Sequence, residues 1–199
     1  MLAPVLTASH VTCAAIVGLV VLGCSTSARS GQMQVLDLDG RRVDPLQAAP
    51  GVKAIVFVFT SIECPMSNRY SPEVRRLYDT FASKGVLFWL VYPNPGDTPD
   101  AIRGHRKAFG YPMAAVRDQE QELARRANVT VTPAAAVFDR GGRILYRGRI
   151  DDRYVDIGVD RQTPSSHDLE DALAATLAGK TVPHPTTRAI GCTLADFLR

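Results

Sequence analysis

Phe57-Val58-Phe59-Thr60-Ser61-Ile62-Glu63-Cys64-Pro65-Met66-Ser67 is the stretch on which the fold turns: an apolar run stops at a cysteine that is followed at once by proline. The six residues from Ala54 to Phe59 are all apolar, which predicts a strand buried on both faces. A helix-like segment follows. A thiol at this junction sits at the amino end of a helix, where unpaired backbone amides and the helix dipole favour thiolate over thiol. Cys64 is therefore a candidate nucleophile, and the competing reading is a small buried apolar filler.

Working outward toward the carboxyl end, Val74, Leu77, Tyr78 and Phe81 are spaced as one apolar helix stripe that ends at Gly85, with Pro72 predicting a kink or restart. Val86 to Tyr92 reads as a second buried strand, and Thr98-Pro99-Asp100 opens a helix that runs to Phe109-Gly110. Ala114 to Val116 is a short strand, Gln119 to Ala127 a short helix and Ala134 to Phe138 a strand. Arg140-Gly141-Gly142 then turns the chain into an edge strand from Ile144 to Ile150. Ser165-Ser166-His167-Asp168 starts a last helix with Leu169, Leu173 and Leu177 inward and Gly179 at its end, and the tail carries Cys192. On the amino-terminal side, Met33 to Leu38 meets Asp39-Gly40, which predicts a small hairpin, and Pro45 to Gly51 is a connector. Helices alternating with buried strands, then a hairpin and a terminal helix, describe an α/β fold: a mixed β-sheet flanked by helices on both faces.

Composition sets the outer bounds. The 199 residues suit one domain with extras, and 46% hydrophobic and 22% charged residues are ordinary for a globular chain. A net charge of +3 with scattered arginines is too small to argue for nucleic acid, and no stretch reaches the roughly 18 apolar residues of a spanning helix. A phosphate-cradling glycine loop, a zinc ligand set and a Ser-His-Asp arrangement are not recognisable, and no cofactor or resident metal is expected.

Val11 to Gly23 is apolar apart from Thr12, and the first charged side chain is Arg29, which reads as an export signal over residues 1–23. Val21-Leu22-Gly23-Cys24 resembles a bacterial lipobox, so Cys24 is the expected lipidation site, residues 24–32 a tether and residues 33–199 the exported domain. A plain signal cut near Ala28 is the alternative. Export changes the cysteine arithmetic, because Cys13 leaves with the signal and Cys24 takes lipid, so Cys64 and Cys192 remain. Disulfides persist outside the cytoplasm, and a bridge between these two would close most of the domain and stabilise it by about 5 kcal/mol. The sequence does not place Cys192 beside Cys64, and a purely structural bridge stays open as a reading.

The order strand, Cys64 at a helix start, strand, helix, then Val131-Thr132-Pro133 before a hairpin and last helix resembles the thioredoxin superfamily over about residues 33 to 180. Pro72, eight residues after Cys64, resembles that superfamily's kinking proline, and the run from Val129 to Gly142 is similar to its cis-proline loop, strand and hairpin. The segment Thr60 to Tyr70, with Tyr146-Arg147-Gly148-Arg149-Ile150-Asp151-Asp152-Arg153-Tyr154 and Ala189-Ile190-Gly191-Cys192, resembles a branch of bacterial redoxin-domain proteins related to alkyl hydroperoxide reductases.

The resemblance implies a thiol-disulfide oxidoreductase, and the export signal is expected to place it outside the cytoplasm. Cys64 attacks as thiolate, and Ser67 stands where the dithiol Cys-x-x-Cys motif has its second cysteine, so Cys192 is the candidate resolving thiol. Ser61, Ser67 and the backbone amides after Pro65 are expected to stabilise the thiolate, and a cis Thr132-Pro133 bond is expected to present a backbone edge to a substrate chain. Expected partners are a protein disulfide, dithiol or peroxide and a thiol electron donor; the membrane is met only through the lipid anchor.

Three other readings stand beside it. Peroxiredoxins resemble this chain in Ser61, the Cys-Pro pair and a resolving cysteine near the carboxyl end, but Phe57 replaces their proline, and Arg117, Arg125 and Arg126 are the available arginines. Sco-type copper proteins share the fold, but Thr60 replaces their first cysteine, leaving Cys64 and Cys192 with His167 or His184 as the only thiolate-containing set. A non-catalytic interaction module with Cys64 and Cys192 in a structural bridge is the third; Arg69 and Tyr70 beside the thiol fit either a substrate groove or a docking face. His105 is expected to be a partly buried helix-face residue.

Overall fold

The computed structural model describes residues 35–194. They belong to one unit, Gln32–Arg199. The expected signal, the lipidation site Cys24 and the tether lie outside the described residues. Among those described, no helix is long and apolar enough to cross a membrane.

The run from Ala54 to Phe59 forms a strand (β3) buried along its whole length, and its neighbours explain why no polar residue interrupts it. Val86–Tyr92 (β4) pairs with it in parallel and Ala134–Asp139 (β7) antiparallel on the other side. Alternate side chains then enter two separate cores. Ala54, Val56 and Val58 face one, while Ile55, Phe57 and Phe59 face the other.

The remaining strands extend this centre. Val35–Asp37 (β1) and Arg42–Val43 (β2) make the expected amino-terminal hairpin, Ala114–Arg117 (β5) follows β4 in parallel, and Ile144–Gly148 (β8) pairs with β7. The sheet order is β2-β1-β5-β4-β3-β7-β8, so mixed direction is confirmed. Two short pairs stand outside it: Tyr154–Asp156 (β9) with Val159–Asp160 (β10), and Val131–Thr132 (β6) with Cys192–Thr193 (β11).

The helices Pro65–Arg69 (α1) and Ser71–Phe81 (α2) are separated at Tyr70, as Pro72 predicts. Val74, Leu77 and Phe81 of α2 and Ile102 of Pro99–Ala108 (α3) enter the same core. Both helices join parallel strands stepping the same way across the sheet, and right-handed crossovers put such helices on one face. Asp168–Leu177 (α5) packs there too, through Leu169, Ala172 and Leu173. Glu122–Ala127 (α4) covers the opposite face with Leu123, Ala124 and Ala127.

The structure departs most from the sequence reading at three places. The short helix starts at Glu122 rather than Gln119, because Asp118 caps it, its carboxylate accepting from the amides of Leu123 (3.1 Å) and Ala124 (2.8 Å). The edge strand stops at Gly148, whose φ of 144° no side chain adopts easily and where a Cβ would overlap Thr187. The β9–β10 ribbon was not foreseen, and it leaves Val155, Ile157 and Val159 exposed.

Candidate functional site

Cys64 lies where β3 ends. It takes the N-cap position of α1 with extended dihedrals (φ −85°, ψ 107°), and Pro65 occupies the first turn, where a missing N–H costs nothing. The amide of Cys64 donates to the Ser61 carbonyl (3.4 Å), and Cys64's own carbonyl accepts from the Asn68 amide (3.0 Å). Cys64 is 2% exposed. Ser61 thus meets the cysteine through its backbone. Ser67, one helical turn on, is buried, and its hydroxyl has no hydrogen-bond partner among the described residues.

Cys192 is brought to this point by the tail. It forms a disulfide with Cys64, with Cα atoms 6.3 Å apart across 128 positions. The tail reaches it in two steps. Pro185 to Thr187 first lies along β8, with the Arg147 amide donating to the Pro185 carbonyl and the Thr187 amide to the Arg147 carbonyl, each at 3.0 Å. The Thr187 hydroxyl meets Tyr146 Oη (2.7 Å) and accepts from the Arg149 amide (3.1 Å). Then β11 pairs antiparallel with β6, Cys192 opposite Thr132 and Thr193 opposite Val131. The Leu194 amide donates to the Thr130 carbonyl (3.0 Å), and the Leu194 side chain is buried on the α4 side.

The Thr132–Pro133 peptide bond is cis. Its carbonyl oxygen lies 3.2 Å from Cys64 Sγ. Thr132, Pro133, Cys64 and Cys192 therefore meet at one point, with Pro65 and Ser67 on the helix side. No segment of the tail shows helical or strand periodicity long enough to announce this pairing; the sequence signals are the cysteine count and the Ala189-Ile190-Gly191-Cys192 resemblance.

Beneath the cysteine loop lies a polar relay that the sequence reading missed. Asn68 Nδ2 donates to the Ile62 carbonyl (3.0 Å), so its Oδ1 is free to accept from His105 Nε2 (2.8 Å). That fixes the tautomer: His105 Nδ1 accepts from Tyr92 Oη at 2.9 Å. His105 is 6% exposed, and burial pushes its pKa down, which keeps the ring neutral and the relay intact. Its sequence spacing predicts a partly buried face residue; the structure buries it with a partner on each nitrogen.

Tyr70 is likewise not a docking residue. It is 3% exposed, and its hydroxyl donates to Asp151 Oδ1 at 2.5 Å. Burial, reinforced by the Asp151 carboxylate, holds the phenol well above its ordinary pKa. Arg69 is exposed and pairs with Asp160 at 3.0 Å, tying the β9–β10 ribbon to α1.

Among the arginines, Arg117 Nε donates to the Asp97 carbonyl (3.2 Å) and Arg126 Nη2 to the Gly142 carbonyl (3.1 Å). His167 takes the N-cap position of α5 and His184 is exposed in the tail. The one group among the described residues with metal-ligand spacing is Glu73, Asp151 and His167, which includes neither cysteine.

Asp97 lies within electrostatic reach of Glu63, the residue before Cys64. It is 6% exposed and its Oδ2 has no partner among the described residues. Burial, together with the nearby Glu63 charge, pushes its carboxyl up to about 6, against the pull of Arg117. A carboxyl raised this way contributes stability that is complete below its unfolded value near 3.8 and lost as pH rises through about 6. Asp97→Asn is therefore expected to raise the melting temperature at pH 7, with the gain over wild type shrinking as pH falls from 6 to 4; thermal melts at several pH values measure it.

Strand order, the cis-proline loop and a cysteine at the head of a helix define a thioredoxin-like fold. A family model for redoxin matches residues 25–158, and the chain belongs to the redoxin family. Among solved structures, it is similar to an uncharacterized conserved protein from Geobacillus kaustophilus, with 27% identity and a TM-score of 0.69 over 81% of this chain and 87% of that one. A hypothetical protein from Sinorhizobium meliloti 1021 is similar at 23% identity and a TM-score of 0.70, over 81% and 89% of the two chains. A thiol-disulfide oxidoreductase from Bacteroides fragilis NCTC 9343 shares the fold at 16% identity and a TM-score of 0.52, over 74% and 95%. A search of the curated proteins gave no match.

Proposed function

We propose that the protein is a thiol-disulfide oxidoreductase that works outside the cytoplasm, held to the membrane through lipid on Cys24. The observation that carries this reading is the delivery of Cys192 to Cys64 by a two-residue strand on the cis-proline segment. Cys64, at a helix start and backed by a turn of amides, is the nucleophile. Reduction of the pair leaves a thiolate at Cys64, and the unpartnered Ser67 hydroxyl, three residues on and on the same helix face, is placed to donate to it.

The thiolate attacks one sulfur of a substrate disulfide. A Cys64–substrate disulfide forms, and the other substrate sulfur leaves as a thiolate that takes a proton from water. Cys192 thiolate then attacks Cys64 Sγ, restores the Cys64–Cys192 bond and releases the second substrate thiol. Thr132 and Pro133 border the reacting sulfurs and position the incoming chain, while Pro65 fixes the start of α1. A thiol donor returns two electrons for the next cycle. The pairing of Cys64 with a tail-borne Cys192 on the cis-proline segment favours exchange over a peroxidase, and Arg117 and Arg126 donate to the Asp97 and Gly142 carbonyls.

The test compares substrates. The reduced protein is expected to turn over the interchain disulfides of insulin under a dithiol reductant faster than it consumes hydrogen peroxide. Rapid peroxide consumption with no disulfide turnover would replace this reading by the peroxidase.

A further inference from the structure

The reducible edge of β6 is already occupied in the oxidised protein, and its occupant has a sequence. We propose that residues Gly191–Leu194 are a tethered stand-in for a partner strand, and that the β6 edge receives extended polypeptides in which glycine directly precedes the disulfide cysteine. This inference rests on the disulfide-exchange reading.

Three features of the tail define the fit. Apart from its bond to Cys64, Cys192 meets β6 through backbone pairing opposite Thr132, so the edge reads the main chain of whatever lies there. A Cβ at Gly191 would overlap the Thr132 carbonyl and come within 3.1 Å of the Pro133 nitrogen. These are backbone atoms of the cis-proline loop, which cannot swing aside as a side chain does. Gly191 has no unusual φ, so glycine is needed for close approach and not for its conformation. Two positions beyond the cysteine, Leu194 fills a buried site 5% exposed against the α4-side core. The receptor therefore reads glycine, cysteine, any residue, aliphatic.

The tail is also built to leave. Its pairing at Pro185 to Thr187 on β8 does not involve the disulfide, whereas the β11 pairing is two residues long and marginal without a covalent bond. Five residues, Arg188 to Cys192, lie between the fixed anchor and the sulfur. Their reach is about 17 Å when extended. A dithiol reductant that gives two electrons and two protons to the Cys64–Cys192 bond, itself becoming a disulfide, thus opens the edge while keeping Cys192 close enough to return.

The probe is the hexapeptide matching residues 189–194, its cysteine carried as a mixed disulfide with thionitrobenzoate, presented to Cys192→Ser protein. Cys64 thiolate attacks the peptide sulfur, the Cys64–peptide disulfide forms, and the coloured aromatic thiolate leaves as the better leaving group. This peptide is expected to react faster than its glycine-to-valine counterpart by about tenfold or more, and a residual seating of the variant's own tail slows both alike. Equal rates for the two peptides, with ready reaction of the symmetrical aromatic disulfide, would overturn the inference and leave disulfide exchange standing. No reaction with any of the three would overturn both. In the full chain, Gly191→Val is expected to leave Cys192 open to alkylation after oxidant treatment, and protection equal to wild type would contradict the fit.

Discussion

Reduction of the Cys64–Cys192 bond is expected to lower the stability of the domain by about 5 kcal/mol, the loop-closure entropy of cross-linking chain positions this far apart. The bond spans 128 positions, so it restrains most of the unfolded domain. At about 2–4 °C per kcal/mol for a protein of this size, the melting temperature falls by roughly 10–20 °C. Cys192→Ser is expected to show the same loss and no further response to reductant. Cys192 is the better position for the test because it is only partly buried, whereas a hydroxyl at Cys64, 2% exposed, adds its own burial cost. Denaturant melts with and without reductant measure both.

The second large effect separates the two cysteines by role. Cys64→Ser is expected to reduce disulfide exchange by about a thousandfold or more, to the uncatalysed level, because the attacking sulfur is gone. Cys192→Ser keeps the first attack and loses the second, so it accumulates a Cys64–substrate disulfide and stalls under multiple turnover. Mass spectrometry of quenched reactions distinguishes them. Equal losses in both variants, with no trapped adduct in Cys192→Ser, would instead describe a bridge that only holds the fold together.

The elements legible in the sequence are those whose pattern is dense and local. Ala54–Phe59 and Val86–Tyr92 coincide with their observed strands because both are central in the sheet; the first is buried throughout, and in the second only Leu87 and Trp89 are partly exposed. Thr98-Pro99-Asp100 opens α3 as read, with the Thr98 hydroxyl accepting from the Ala101 amide at 3.3 Å. The start of α4 was misplaced because its cap, Asp118, precedes the helix by four residues and Gln121 takes a left-handed conformation (φ 52°). At the site, Cys64 was legible from its strand–helix junction and the cis-proline loop from resemblance. Cys192 was a candidate by count; its place depends on β11, two residues long and visible only once β6 is there to receive it. The relay through Asn68, His105 and Tyr92 joins three elements far apart in sequence, and no spacing rule links them.

An exchanging Cys64–Cys192 pair and a structural bridge respond differently to reductant in the folded protein. The folded, oxidised protein is exposed to a dithiol reductant without denaturant, samples are alkylated over time, and the masses of the Cys64 and Cys192 peptides are followed, before and after a protein disulfide is added back. For an exchanging pair, both cysteines are expected to become alkylatable while the protein stays folded, and the added disulfide to restore their protection. Cysteines that open only when denaturant unfolds the chain, or that open and are not reoxidised by the added disulfide, would contradict exchange.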